Sequence, residues 1–84
     1  MMEISNTFAQ LVVDINRTAQ QFASSIVIKT DQRSIDAKSI LGLTYSVLSS
    51  KTFELEIHGE DEEEAKKEMV KVFHHYNVSV KVNE

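Results

Sequence analysis

The chain has no cysteine, no proline and only 2 glycines among its 84 residues. Without cysteine there are no disulfides, no thiolate nucleophile and none of the common cysteine-based structural zinc sites. That absence also fits a reducing compartment. The scarcity of proline and glycine leaves no linker and no glycine-rich phosphate cradle, and no internal repeat is visible. No apolar run is long enough to span a bilayer. The N-terminus lacks the basic-then-apolar pattern of a signal peptide. A cytoplasmic protein that does not engage a membrane is expected. The length predicts one domain over residues 1–84, and a chain of this size buries only about 60–65% of its unfolded surface.

Acid predominates over base, 13 residues against 9, for a formal charge of −4. That balance argues against a nucleic-acid partner. Much of the acid lies in Glu60-Asp61-Glu62-Glu63-Glu64. Such a run is ordinarily a solvated helix start, the alternative being a docking surface for a basic partner.

Residues 6–22 set Phe8, Leu11, Val12, Ile15, Ala19 and Phe22 at offsets of three and four, which form one helical stripe. Thr7 and Gln10 have capping-box spacing, with Ser5 and Asn6 as alternative caps. Only residues 1–4 precede this helix, very little for a strand. Ile26-Val27-Ile28 is a β-branched run typical of a strand, and Ser34-Ile35-Asp36 a short returning one. The turn between them lacks glycine, so a type I-based hairpin loop is expected. Residues 40–48 are too densely apolar for a one-sided helix, which predicts burial against the sheet or a partner. Residues 52–58 alternate, with Phe53, Leu55 and Ile57 on one face and Glu54, Glu56 and His58 on the other. After Gly59 a helix runs to about Tyr76, with Ala65, Met69, Val72, Phe73 and Tyr76 inward. Val78, Val80 and Val82 then alternate with polar residues in a final strand. The order helix, strand, strand, helix, strand, helix, strand predicts an α/β (α+β) fold, an open-faced two-layer sandwich.

Asp36-Ala37-Lys38-Ser39-Ile40-Leu41-Gly42-Leu43 organises the rest. Ser39 stands where an extended segment ends and a short apolar helix begins. Its hydroxyl can cap that helix, and a helix start beside Lys38 is also a place for a phosphate. The three histidines are the obvious acid–base groups. His58 faces outward on a strand, and the side chains of adjacent His74 and His75 diverge on a helix, so no metal site is expected.

The chain from about residue 7 to 76 resembles HPr, the small phosphocarrier of the bacterial sugar phosphotransferase system. Phe22-Ala23-Ser24-Ser25-Ile26 leads into the first hairpin, the Asp36-to-Leu43 block resembles the family's regulatory-serine signature, and Gly59-Glu60-Asp61-Glu62-Glu63-Glu64-Ala65 its opening of the last helix. The resemblance implies three helices on one face of a four-stranded sheet. Here the first strand is largely missing and a C-terminal strand is added. We expect that added strand to fill the vacated edge beside residues 52–58, parallel to that neighbour, or else to pair with another copy as a homodimer.

The resemblance further implies a phosphoacceptor histidine followed by alanine, arginine and proline at the start of the first helix. This chain has Phe8-Ala9-Gln10-Leu11 there. A phenyl ring has no lone pair to phosphorylate, and Gln10 supplies no cation. Three readings follow. The first is a regulatory or binding protein of the phosphotransferase system, not an enzyme and without a cofactor or metal. In it Ser39 is a serine-kinase target, Lys38 supports the phosphate, and Ile40, Leu43 and Val47 dock the transcriptional or metabolic regulators of the sugar system. The second is a phosphocarrier with a displaced acceptor, and the third an interaction or dimerisation module without phosphorylation.

Overall fold

The structure, a computed structural model, describes residues 6–31, 33–39, 42 and 52–84. Helix α1 spans Asn6–Gln20 and buries Leu11, Val12, Ile15 and Ala19, the middle of its apolar stripe. Its last turn tightens, with the Gln21 and Phe22 amides donating to Thr18 and Ala19 carbonyls three residues back. Strand β1 (Ser25–Lys29) and β2 (Ser34–Asp36) form the expected hairpin. Its loop is closed by the Thr30 amide on the Arg33 carbonyl at 2.8 Å, while the Arg33 amide donates to the Thr30 hydroxyl at 3.1 Å.

Strand β3 (Glu54–His58) lies antiparallel to β1, pairing Ile26 with Ile57 and Ile28 with Leu55. All four are buried, so the period-two alternation read from residues 52–58 is the inner face of the sheet. Helix α2 (Glu62–His75) covers that face beside α1 and buries Ala65, Met69 and Phe73. It ends in a Schellman turn. Asn77 takes a positive φ of 61°, its amide donates to the His74 carbonyl, and the Val78 amide donates to the Phe73 carbonyl.

That reversal feeds β4 (Lys81–Val82), which pairs with β3 in parallel and completes a sheet of order β2-β1-β3-β4. The added strand thus takes the edge and direction expected of it. It is shorter than residues 78–82, because β3 begins only at Glu54 and offers no partner further back. Val78 and Val80 pack against the core instead. Beyond Val82 the Asn83 side chain carries the ladder on: its amide oxygen accepts from the Ile57 amide at 2.7 Å, and its nitrogen donates to the Ile57 carbonyl at 3.0 Å. Two helices and a four-stranded mixed sheet make up the described α+β fold. The third helix, predicted over residues 40–48, lies outside the described residues except for Gly42, which is helical. No helix among the described residues is long and apolar enough to cross a membrane.

Candidate functional site

The Ser39 turn is built at the end of β2. Asp36 turns the chain by accepting the Lys38 amide on its carboxylate at 2.9 Å and the Ser39 amide on its carbonyl at 3.0 Å. The Ala37 amide still reaches the Ile26 carbonyl at 2.9 Å, which carries its methyl into the core. From the other side, α1 holds the turn. Asn16 donates its side-chain amide to the Ala37 carbonyl at 3.3 Å, and Gln20 donates to the Lys38 carbonyl at 3.0 Å.

Ser39 itself is exposed. Its hydroxyl oxygen lies 3.5 Å from where a Cβ on Gly42 would stand, so it overlies the residue three further on. That same Cβ would come within 2.9 Å of the Ile35 side chain, and glycine lets the segment lie close against β2. An exposed serine hydroxyl is chemically able to accept a phosphoryl group.

Lys38 is engaged elsewhere. Its ammonium donates to the Phe22 carbonyl, just past α1, at 2.8 Å, where a cation meets the negative end of that helix. Phe8 is the third residue of α1, and 44% of its surface is exposed. The α1 side chains that reach the Ser39 turn begin at Asn16, about 12 Å of helix rise from Phe8. The predicted docking residues Ile40, Leu43 and Val47 lie outside the described residues. His58 is 2.9 Å from Glu56 on the outer face of the sheet, and the His75 ring stands edge-on to Tyr76, so neither is at the Ser39 turn. Among the described residues no three acidic or histidine side chains gather to hold a metal ion.

In sequence Asp61 is one member of an acidic run at a helix start, and the structure gives it a place of its own. Its carboxylate accepts the Ala23 and Ser24 amides, each at 2.9 Å, and the hydroxyl of buried Ser24. It therefore leaves α2 without a side-chain cap and clasps the loop between α1 and β1. Glu62 accepts the Gly59 amide at 3.2 Å, which holds the turn that precedes the helix. No local pattern marks Asp61 out, because its partners lie nearly forty residues away.

The Ser24 hydroxyl first, then the loop amides, hold the Asp61 carboxyl below the usual carboxylate range. A carboxyl depressed in the folded state contributes stability above its unfolded pKa and loses it as pH falls through the folded one. Below about pH 4, the wild type should lose thermal stability more steeply than Asp61→Asn. Parallel melting curves from pH 7 to pH 2.5 check this, and equal slopes would remove Asp61 from the acid response.

The family model described as PTS HPr component phosphorylation site matches residues 8–75. The chain belongs to the HPr family. An HPr from Thermoanaerobacter tengcongensis, solved as a dimer, superposes with a TM-score of 0.73 at 32% identity, over 89% of this chain and 91% of that one. Crh of Bacillus subtilis, solved as a domain-swapped dimer, gives 0.64 at 22% identity over 94% and 98%. The histidine-containing phosphocarrier protein of a Mycoplasma gives 0.68 at 16% identity over 90% and 84%. At those lower identities the likeness is one of fold. No curated protein matches the chain in sequence.

Proposed function

We propose that this HPr-family protein is a regulatory or binding component of the phosphoenolpyruvate-dependent sugar phosphotransferase system and does not carry phosphate. The observation behind the reading is Phe8 at the start of α1, the position at which the resemblance implies the family's acceptor histidine. A phenyl ring cannot form a phosphoramidate, and Gln10 cannot pair with a phosphate as arginine does. The protein then acts in the cytoplasm through contacts, catalysing nothing itself.

In this reading Ser39 takes a phosphate from a serine kinase, and the charge gathers regulators at that surface. Ile40, Leu43 and Val47 supply the apolar part of the contact. Lys38 supports the phosphate by giving up the Phe22 carbonyl, a neutral acceptor, for a dianion on the next residue. The same lysine contact favours a second reading, in which the turn is only structural and the fold is kept as an interaction module.

Intact-mass measurement after incubation with ATP and the family's serine kinase separates the two. Wild type should gain one phosphate and Ser39→Ala none. Wild type incubated with phosphoenolpyruvate and the upstream enzyme of the system should gain none. Phosphate from the upstream enzyme would make the chain a carrier with a displaced acceptor. No phosphate from the kinase would put the interaction module first.

A further inference from the structure

Resting on the reading of Ser39 as a kinase target, we infer that phosphate on Ser39 unlatches the C-terminal end of α1, because Lys38 leaves the Phe22 carbonyl for it. The end of α1 and the Ser39 turn are joined by three side-chain hydrogen bonds. Asn16 and Gln20 reach from the helix to the Ala37 and Lys38 carbonyls, at 3.3 and 3.0 Å. Lys38 reaches the other way, to the Phe22 carbonyl at 2.8 Å. Only this last bond has a charged donor, so only it answers strongly to a new charge nearby. Among the described residues no other donor meets the Phe22 carbonyl. The carbonyl lies just past α1, where a cation offsets the negative end of the helix.

A phosphoserine at 39 sets about two negative charges on the residue next to Lys38. The ammonium rides on a flexible four-carbon stem, and attraction between opposite charges adds to its hydrogen bond with a phosphate. Which side then gives way follows from the contacts that remain. The turn keeps the Asp36 carboxylate on the Lys38 amide, the Asp36 carbonyl on the Ser39 amide and the Ala37 amide on the Ile26 carbonyl. It also keeps Asn16 and Gln20. Among the described residues the end of α1 keeps the Gln21 and Phe22 amides on the Thr18 and Ala19 carbonyls, at 3.1 and 3.3 Å. A tightened last turn of this kind frays readily. One residue further on, the Asp61 carboxylate clasps the Ala23 and Ser24 amides, and the loosening stops there. Gln21 is exposed, so the loosened turn is a second surface feature, besides the phosphate, by which the two forms of the protein differ.

Amide exchange followed by NMR tests this on wild type, on Lys38→Met, and on each of these carrying phosphoserine at 39. The phosphoserine is incorporated during synthesis, so no kinase is needed. Loss of the latch should speed exchange at Gln21 and Phe22 about three- to tenfold, the effect of one hydrogen bond. The rise should be seen in Lys38→Met and in the wild-type chain with phosphoserine, with Ser24 unchanged in both. Phosphoserine on the Lys38→Met background should add nothing. Unmodified rates at Gln21 and Phe22 in the wild-type chain with phosphoserine overturn the inference. So do unchanged rates in Lys38→Met, or a further rise when phosphoserine is added to that variant. Failure of the serine kinase to modify wild type refutes the reading beneath the inference instead, and the rates in the phosphoserine proteins tell the two failures apart.

Discussion

Replacing Phe73 by alanine should destabilise the protein by about 3–5 kcal/mol. Phe73 has no exposed surface, and its ring lies 5.9 Å from that of Phe53, tilted by 49°. The pair joins α2 to the residue that leads into β3, so one truncation loosens both layers. It shares one buried cluster with Met69 on the same helix and with the inner residues of β1 and β3, which their backbone ladder holds in place. A cavity there cannot close by moving one side chain. A chain of this length has about 4–13 kcal/mol of stability in all, so the loss takes a large share of it. Urea unfolding followed by circular dichroism measures the change. A loss below about 1 kcal/mol would mean that the core repacks around the gap.

The fold was legible where its cause is local. The stripe of α1 and the alternation of β3 depend on residues three or four, and two, positions apart, and the structure buries Leu11, Val12, Ile15 and Ala19 of the one and Phe53, Leu55 and Ile57 of the other, while Phe8 at the start of the stripe stays exposed. The parallel placement of β4 was legible for a topological reason: a strand that follows a helical crossover returns in the direction of the one before it. Its length was not. Val78-Ser79-Val80 alternates as well as Lys81-Val82 does, and only the start of β3 at Glu54 decides which of them has a partner.

The candidate site was legible in part. Ser39 and Lys38 could be singled out because a serine before an apolar run and a lysine beside it form a pattern. What the lysine binds could not be read, since the Phe22 carbonyl belongs to the end of another element. Asp61 shows the same limit. In sequence it is one of five consecutive acids, and in the fold it differs from Glu60, Glu63 and Glu64 because the loop before β1 comes back to meet it.

That meeting leaves Gly59 little open to change. Gly59→Ala should cost about 2–4 kcal/mol and lower the melting temperature by about 10 °C or more. Gly59 has a φ of +154°, outside the range that a side chain prefers. An added Cβ would lie 2.5 Å from the Ser24 hydroxyl, 2.7 Å from its Cα and 2.9 Å from its Cβ. The hydroxyl could rotate away, but the Cα could not. Ser24 is fixed by the Asp61 carboxylate through both its amide and its hydroxyl, so the backbone yields only by breaking that clasp. Gly42 provides the comparison. Its added Cβ would meet only side-chain atoms of Ile35 and the Ser39 hydroxyl, the nearest at 2.9 Å, and Ile35 is half-buried on an edge strand with room to turn. Gly42→Ala should therefore fall well short of Gly59→Ala in a parallel thermal melt. If the two variants melt together, contact with backbone is no harder to relieve here than contact with a side chain, and the Asp61 clasp does not hold the loop rigid.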